Sequence, residues 1–367
     1  MVIPFLSLYL TKDKGYSLAQ VGWIMSFFGL GSVVGSWLGG KLTDRIGYYK
    51  TMAGSLLLSS LFFISLQYLD TFVSLCAGIF FLMCVADAFR PAMFVALNAY
   101  SKPENKTRSV TLVRLAINLG FAAGPAAGGF IIVTLGYGGL FWIDGLTSLL
   151  AGLALLQLLH PKKARTIDQE IVGSSRSAYS DGHYWIFILA TILFGFVFLQ
   201  YFSTVPLYYK DVHFLSEAQI GLLIGLNGLI VFLLEMPLVH ALEKRNFSRV
   251  WLMFIGMFLL GLSFLVLNLS AWTGILIVAL ILMSVGEMLV FPFSNSFAME
   301  YSKRGRHGEY MALYSIAFSI SHVFSHNAGM QSIHHFGFEI TWYALVAITV
   351  IGMGLLLLLR KVIREKV

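Results

Sequence analysis

Ionisable side chains inside long apolar runs are where this sequence of 367 residues could do chemistry. A charge at the centre of a bilayer costs about 2.5–3.5 kcal/mol on insertion scales, so each one needs a partner or a purpose. Asp87 and Arg90 stand three residues apart on one helical face, roughly 15–20 Å from the expected cytoplasmic end of their span, where they can neutralise each other. Glu287 lies at a comparable depth and has no cation three or four residues away on either side. It must be protonated, face water, or find a partner on another helix, and an acid with that choice is suited to carry a proton. The plainer account of both acids is a buried, hydrogen-bonded carboxyl. Arg114 and Glu235 lie shallower, at matched depths of about 9–12 Å from the cytoplasmic ends of their spans. Snorkelling to the interface is open to Arg114. Asp144 opens a span, which suggests a first-turn role in the helix dipole. His322 and His326 have the spacing of a metal pair, but no acid or cysteine completes a site on that helix, so they read as pore-lining polar groups and no metal is expected.

The elements that position these groups follow from composition. The chain is 58% hydrophobic and 12% charged, about half the charged fraction of a soluble domain. It reads as a polytopic all-α membrane protein. Eleven apolar runs are long enough to span roughly 30 Å of hydrocarbon. A stub from Met1 to Leu10 precedes them and matches the end of the run at 185–209, which leads to the expectation of twelve helices with the first one truncated.

The chain is also a duplication. At an offset of 199, Gln20 falls on Gln219, Gly22 on Gly221, Asp44 on Glu243 and Lys50 on Arg249. At an offset of 201, Pro91 falls on Pro292 and Tyr100-Ser101-Lys102 on Tyr301-Ser302-Lys303. Parallel repeats of half a chain are what a transporter of two bundles shows. We therefore divide the chain into a bundle over 1–160, a polar tether over 161–184 and a second bundle over 185–367. Twenty Lys and Arg fall on one set of loops and three, Lys12, Lys14 and Lys210, on the other. That bias places both termini in the cytoplasm and accounts for the net charge of +7 without a nucleic-acid partner. Cys76 and Cys84 share one run, with no disulfide framework.

Two stretches resemble signatures of the major facilitator superfamily. Gly39-Gly40-Lys41-Leu42-Thr43-Asp44-Arg45-Ile46-Gly47 is similar to its GxLaDRxGrk motif, with Gly40, Asp44, Arg45 and Gly47 in place and the basic residues displaced by Tyr48-Tyr49-Lys50. Gly120, Gly124, Pro125, Gly128 and Gly129 match the GxxxGPxxGG string of its antiporters, and Gly120, Gly124 and Gly128 form a face that permits close helix approach. His326 stands where the second copy would repeat Pro125.

The resemblance implies two six-helix bundles related by a pseudo-twofold axis and alternating access between them. It implies a monomeric carrier of a small molecule and protons in a lipid bilayer, the bacterial cytoplasmic membrane, without a cofactor. Drug:proton antiport of small lipophilic compounds is the first expectation. A proton-coupled symporter for a sugar, peptide or organic acid is the second, and an inactive truncated fragment the third. In the first, Asp87 and Glu287 hold the proton or the substrate charge, Arg90 modulates Asp87, and Asp44 and Arg45 form a cytoplasmic gate. Phe198, Tyr201, Tyr314, Phe318 and His322 would line the cavity. An enzyme is not expected, because no helix end gathers a nucleophile, a base and an oxyanion site.

Overall fold

A computed structural model describes residues 1–100, 106–159, 177–245, 247–269, 272–302 and 307–364. The side chains of residues 98, 106–112, 114, 307, 308 and 364 lie outside the description. After a 3-10 turn, Ile3–Phe5, the helices are α1 Leu6–Leu8, α2 Leu18–Ile46, α3 Tyr48–Leu66, α4 Phe72–Ala86, α5 Phe89–Tyr100 and α6 Lys106–Leu158. They continue as α7 Gly182–Phe198, α8 Val205–Asp211, α9 Glu217–Lys244, α10 Arg249–Leu267, α11 Ile275–Tyr301 and α12 His307–Arg364. Among the described residues nine helical stretches are long and apolar enough to cross a bilayer, one of them, Phe72–Leu97, joining α4 to α5 and another, Gly182–Asp211, joining α7 to α8. Two of these, Leu115–Leu158 and Glu309–Ile363, have 44 and 55 residues, about twice what one crossing needs. Each contains one glycine outside helical geometry, Gly136 at φ 71° and Gly337 at φ 77°, where the sequence suggested an outward-facing turn between two spans.

The chain forms two compact units. The first comprises Met1–Gln169 with Leu215–Leu222, and the second Glu170–Phe214 with Leu223–Val367. In the first, α2 packs on α4 and α3 on α6; in the second, α10 packs on α11 and α12, and α7 on α12.

Internal geometry repeats between the units residue by residue. Five described residues have positive φ, and four of them form pairs under the duplication, Gly15 with Phe214 and Gly136 with Gly337. The counterpart of the fifth, Gly47, is Asn246, which lies outside the described residues. Ser17 and Gln20 close a capping box on α2, with hydrogen bonds of 3.3 and 3.1 Å, and Ser216 and Gln219 repeat it before α9 at 3.3 and 2.9 Å. These exchanges satisfy helix donors that hydrocarbon cannot. Tyr9 meets Tyr137 and Phe141 at 5.5 and 4.8 Å between centroids, and the duplicate Tyr208 meets Phe338 and Trp342 at 5.3 and 5.5 Å.

Two local expectations need correction. The apolar run that carries Asp87 and Arg90, read as one helix, is broken. Pro91 lacks the N–H that would bond the Asp87 carbonyl, so α4 stops at Ala86 and α5 starts at Phe89. Ser55 of α3 donates to the freed Val85 carbonyl at 2.7 Å. Asp144 does not sit in a first helical turn: it is buried well past Gly136 and accepts the Val2 amide at 2.7 Å.

The last part of the expected tether is ordered into the second unit. Asp181 caps α7 by accepting the His183 and Tyr184 amides at 3.2 and 3.4 Å, and it takes the Tyr310 hydroxyl at 2.9 Å. Residues 161–176 of the tether lie outside the described residues.

Candidate functional site

In each unit an acid among the helices, Asp87 or Glu287, is reached by a polar side chain from the helix two places earlier. In the first unit the break between α4 and α5 puts Asp87 at the C-terminal cap of α4. Ser32 of α2 donates its hydroxyl to one carboxyl oxygen, and the Arg90 guanidinium lies 3.5 Å from the other. The side chain of Asp87 is 13% exposed and that of Arg90 65%, so the arginine reaches outward while the acid stays inside. The expected neutralising pair is present.

In the second unit Glu287 of α11 faces Asn227 of α9. The Asn227 amide nitrogen donates to Glu287 Oε2 at 3.0 Å and to Ser284 Oγ at 3.0 Å. Ser284 passes its own proton to the Leu280 carbonyl at 2.8 Å, which leaves its oxygen free to accept. Asn227 is buried, and α11 runs helical through Glu287. Of the three options open to this acid, the structure realises a hydrogen-bonded partner on another helix. That partner carries no charge, whereas Asp87 has Arg90 beside it.

The aromatic residues expected to line a cavity join one another instead of standing singly. Phe198 meets Phe291 at 5.1 Å, Phe291 meets Phe318 at 5.4 Å, and Phe318 meets Tyr314 at 5.4 Å. Tyr314 stacks on Phe187 at 5.9 Å, and Phe187 leads to Tyr184 at 5.4 Å. This column of rings runs along α7, α11 and α12. Tyr201 is turned away from it, with its ring 5.0 Å from Phe264 and its hydroxyl donating to the Ala279 carbonyl at 3.4 Å. The rings of His322 and His326 lie 5.7 Å apart on α12, tilted by 49°.

The family model described as Major Facilitator Superfamily matches residues 1–326 and 215–367. The chain belongs to the Major Facilitator Superfamily. It is therefore a multi-pass membrane transporter of small molecules and not an enzyme. A Na(+), Li(+), K(+)/H(+) antiporter of Planococcus maritimus is 24% identical over 87% of this chain and 82% of its own length. A putative sugar efflux transporter of Deinococcus radiodurans is 23% identical over 96% of this chain and 92% of its own length. Among solved structures, a POT family transporter in complex with a thioalcohol-conjugated peptide superposes with a TM-score of 0.81 at 14% identity, covering 98% of this chain and 92% of that one. At that identity the likeness speaks for the fold.

The superfamily motifs lie in this structure as follows. Asp44 and Arg45 are exposed on the last turn of α2, and their side chains make no hydrogen bond or ion pair among the described residues. Gly47 follows at φ 88° and ends the helix, and Gly40 faces open space. In the antiporter string the close approach falls on Gly129 and not on the face of Gly120 and Gly124. A side chain at Gly129 would meet the Glu217 carbonyl and come within 3.0 Å of the Ala218 Cα, whereas Gly120 has nothing within 4 Å. Pro125 stays inside α6, and Gly128 sits against the Phe5 ring. Glu235 is buried on α9, and the Arg114 side chain lies outside the described residues.

Sequence reasoning missed Asn227, because an asparagine in an apolar run carries no partner information on its own helix. It also missed the stripe Gly31, Gly35, Gly39, although four-residue spacing marks it. Side chains there would collide with the backbone of α4 at Phe80 and Cys84 and with that of Ala88 in the break that follows it.

Proposed function

We propose that this superfamily member is a proton-coupled exporter of small lipophilic compounds, an antiporter working by alternating access in a bacterial cytoplasmic membrane with both termini in the cytoplasm. The observation that carries the reading is Glu287, a membrane-embedded carboxyl whose hydrogen-bond partner among the described residues is the neutral amide of Asn227. Such a group changes charge by taking or losing a proton, without breaking an ion pair. Asp87 is the second proton or substrate-charge site, and Arg90 sets its balance. The antiporter string at Gly120–Gly129 and relatives named for antiport and efflux favour outward transport. The ring column of the second unit suits flat, apolar or cationic cargo. Asp44, Arg45, Gly40 and Gly47 are assigned to a cytoplasmic gate, and Arg114 with Glu235 to an ion pair that biases the two states.

The test is proton release from the purified protein in weakly buffered detergent as ligands are added one at a time. Tetraphenylphosphonium and ethidium represent lipophilic cations, sodium and potassium the metal cations, and glucose and dialanine the polar nutrients. Release on the lipophilic cations alone is the expected result. Release on sodium or potassium alone would replace the cargo by a metal ion, and a response to glucose or dialanine alone would overturn the export reading.

A further inference from the structure

The second unit contains two small cavities, each of about the size of a water molecule, whose walls differ in kind. One lies among α7, α10, α11 and α12 and is lined by Phe194, Met253, Met257 and Val290. Its one polar side chain, Thr191, already donates to the Phe187 carbonyl at 2.9 Å. The other is bounded by Tyr201, Phe202, Tyr209, Ile224, Asn227 and Met283. Here the Tyr209 hydroxyl is buried and meets no hydrogen-bond partner among the described residues. Asn227 turns its amide nitrogen to Ser284 and Glu287, and no donor reaches its carboxamide oxygen among the described residues.

Apolar voids stay dry, but a void with an unmet hydroxyl and an unmet carbonyl oxygen offers a water the polar partners it needs. A buried polar group left unpaired costs about 1–3 kcal/mol, and one bridging water would satisfy both. The duplication gives an internal comparison. The residues of the first unit equivalent to Tyr209 and Asn227 are Leu10 and Phe28, both buried and apolar. The fold therefore does not demand polar groups at these positions.

We propose that the second cavity is a hydration site, in which a water accepts the Tyr209 O–H and donates to the Asn227 carboxamide oxygen. Held from that side, the carboxamide keeps its nitrogen toward Glu287. Tyr209 is thus a positioning residue for the donor of the coupling acid. Its consequence for transport rests on the reading of Glu287 proposed above, while the hydration itself does not.

Radiolytic hydroxyl labelling tests the site in the full chain in lipid nanodiscs, because X-rays ionise bound water in place and oxidise the side chains beside it. Met283 is expected to be oxidised despite its burial, and Met257, in the dry cavity, is expected to be spared. Ile224→Phe fills the cavity and Tyr209→Phe removes one anchor of the water. Each should lower the Met283 rate several-fold while leaving exposed Met299 unchanged. Protection of Met283 in the parent protein, equal labelling of Met257 and Met283, or unchanged Met283 labelling in both variants would overturn the proposal. Glu287→Gln, assayed for proton coupling, fails or succeeds independently of these outcomes, so a failure of the coupling reading is told apart from a failure of the water site.

Discussion

Lys14 and His213 occupy the same place in the two units and answer pH differently. Lys14 lies 5.8 Å from the centroid of the Tyr9 ring, and His213 packs edge-on against Tyr208 at 5.1 Å. Burial lowers the affinity of Lys14 for its proton, but the hydrogen bond to Asp70 and the Tyr9 contact outweigh it, and its pKa is raised. Its contribution is thus complete below the ordinary lysine value and constant near neutrality. Exposure of Asp70 keeps that contribution small, under about 1 kcal/mol. For His213 burial lowers the pKa below the ordinary 6.5. The neutral ring is the one the fold accommodates, so its contribution is present above 6.5 and is lost as pH falls through the lowered value. Melting of the detergent-solubilised protein should therefore drop between about pH 7 and about pH 5, and His213→Phe should reduce that drop. An equal drop in parent and variant would remove His213 from the acid response.

Phe214 is a second residue-scale case. It has φ 55° where its duplicate is Gly15 at φ 71°, and it is 85% exposed, so its ring contributes little packing. A positive φ costs a residue with a Cβ roughly 1–2 kcal/mol. Phe214→Gly should be neutral or stabilising by up to about 1 kcal/mol in thermal melts; clear destabilisation would show that the ring has a contact in the membrane. The duplication was legible in the sequence, and it is what makes this substitution readable. The strain itself was not, because φ at a loop phenylalanine is imposed by the helices it joins.

Among the elements, the pairing of α2 with α4 depends on Gly31, Gly35 and Gly39, which lie against the backbone of α4 and of Ala88 just beyond it. Their duplicates on α9 are Ile230, Leu234 and Leu238, so α9 has no such glycine stripe to set against α11. There Asn227 bridges to Glu287 and the small cavity beside Met283 remains. The two bundles thus share a plan and differ in tightness. Gly35→Leu should cost about 3 kcal/mol or more, at the top of the range for overpacking. It should reduce the folded yield in detergent, while Gly40→Leu, which faces open space, should not. Equal yields would mean that α2 and α4 are not held by this stripe. The spans were legible because apolar length is a local property. The break at Asp87 could have been taken from Pro91, and the cap at Asp181 from an aspartate just ahead of an apolar run. The partner of Glu287 could not, since it depends on which face of α9 turns toward α11.

At the scale of the whole molecule, superfamily membership makes the chain a carrier, and the duplication brings Asp87 of one unit and Glu287 of the other to equivalent regions with unequal surroundings. Asp87 has Arg90 at 3.5 Å, and Glu287 has a neutral amide at 3.0 Å. Under the proton-coupled exporter proposed above, this asymmetry is the reason to look for the coupling proton in the second unit. The direct measurement is ethidium efflux from proteoliposomes driven by an imposed pH gradient, compared between the parent protein, Asn227→Asp as a probe of the donor, and Glu287→Gln. The account predicts that the gradient accelerates efflux in the parent protein, that Asn227→Asp weakens the response by placing a second acid beside the first, and that Glu287→Gln transports at a rate no longer affected by the gradient. Gradient-driven efflux that persists undiminished in Glu287→Gln would contradict it.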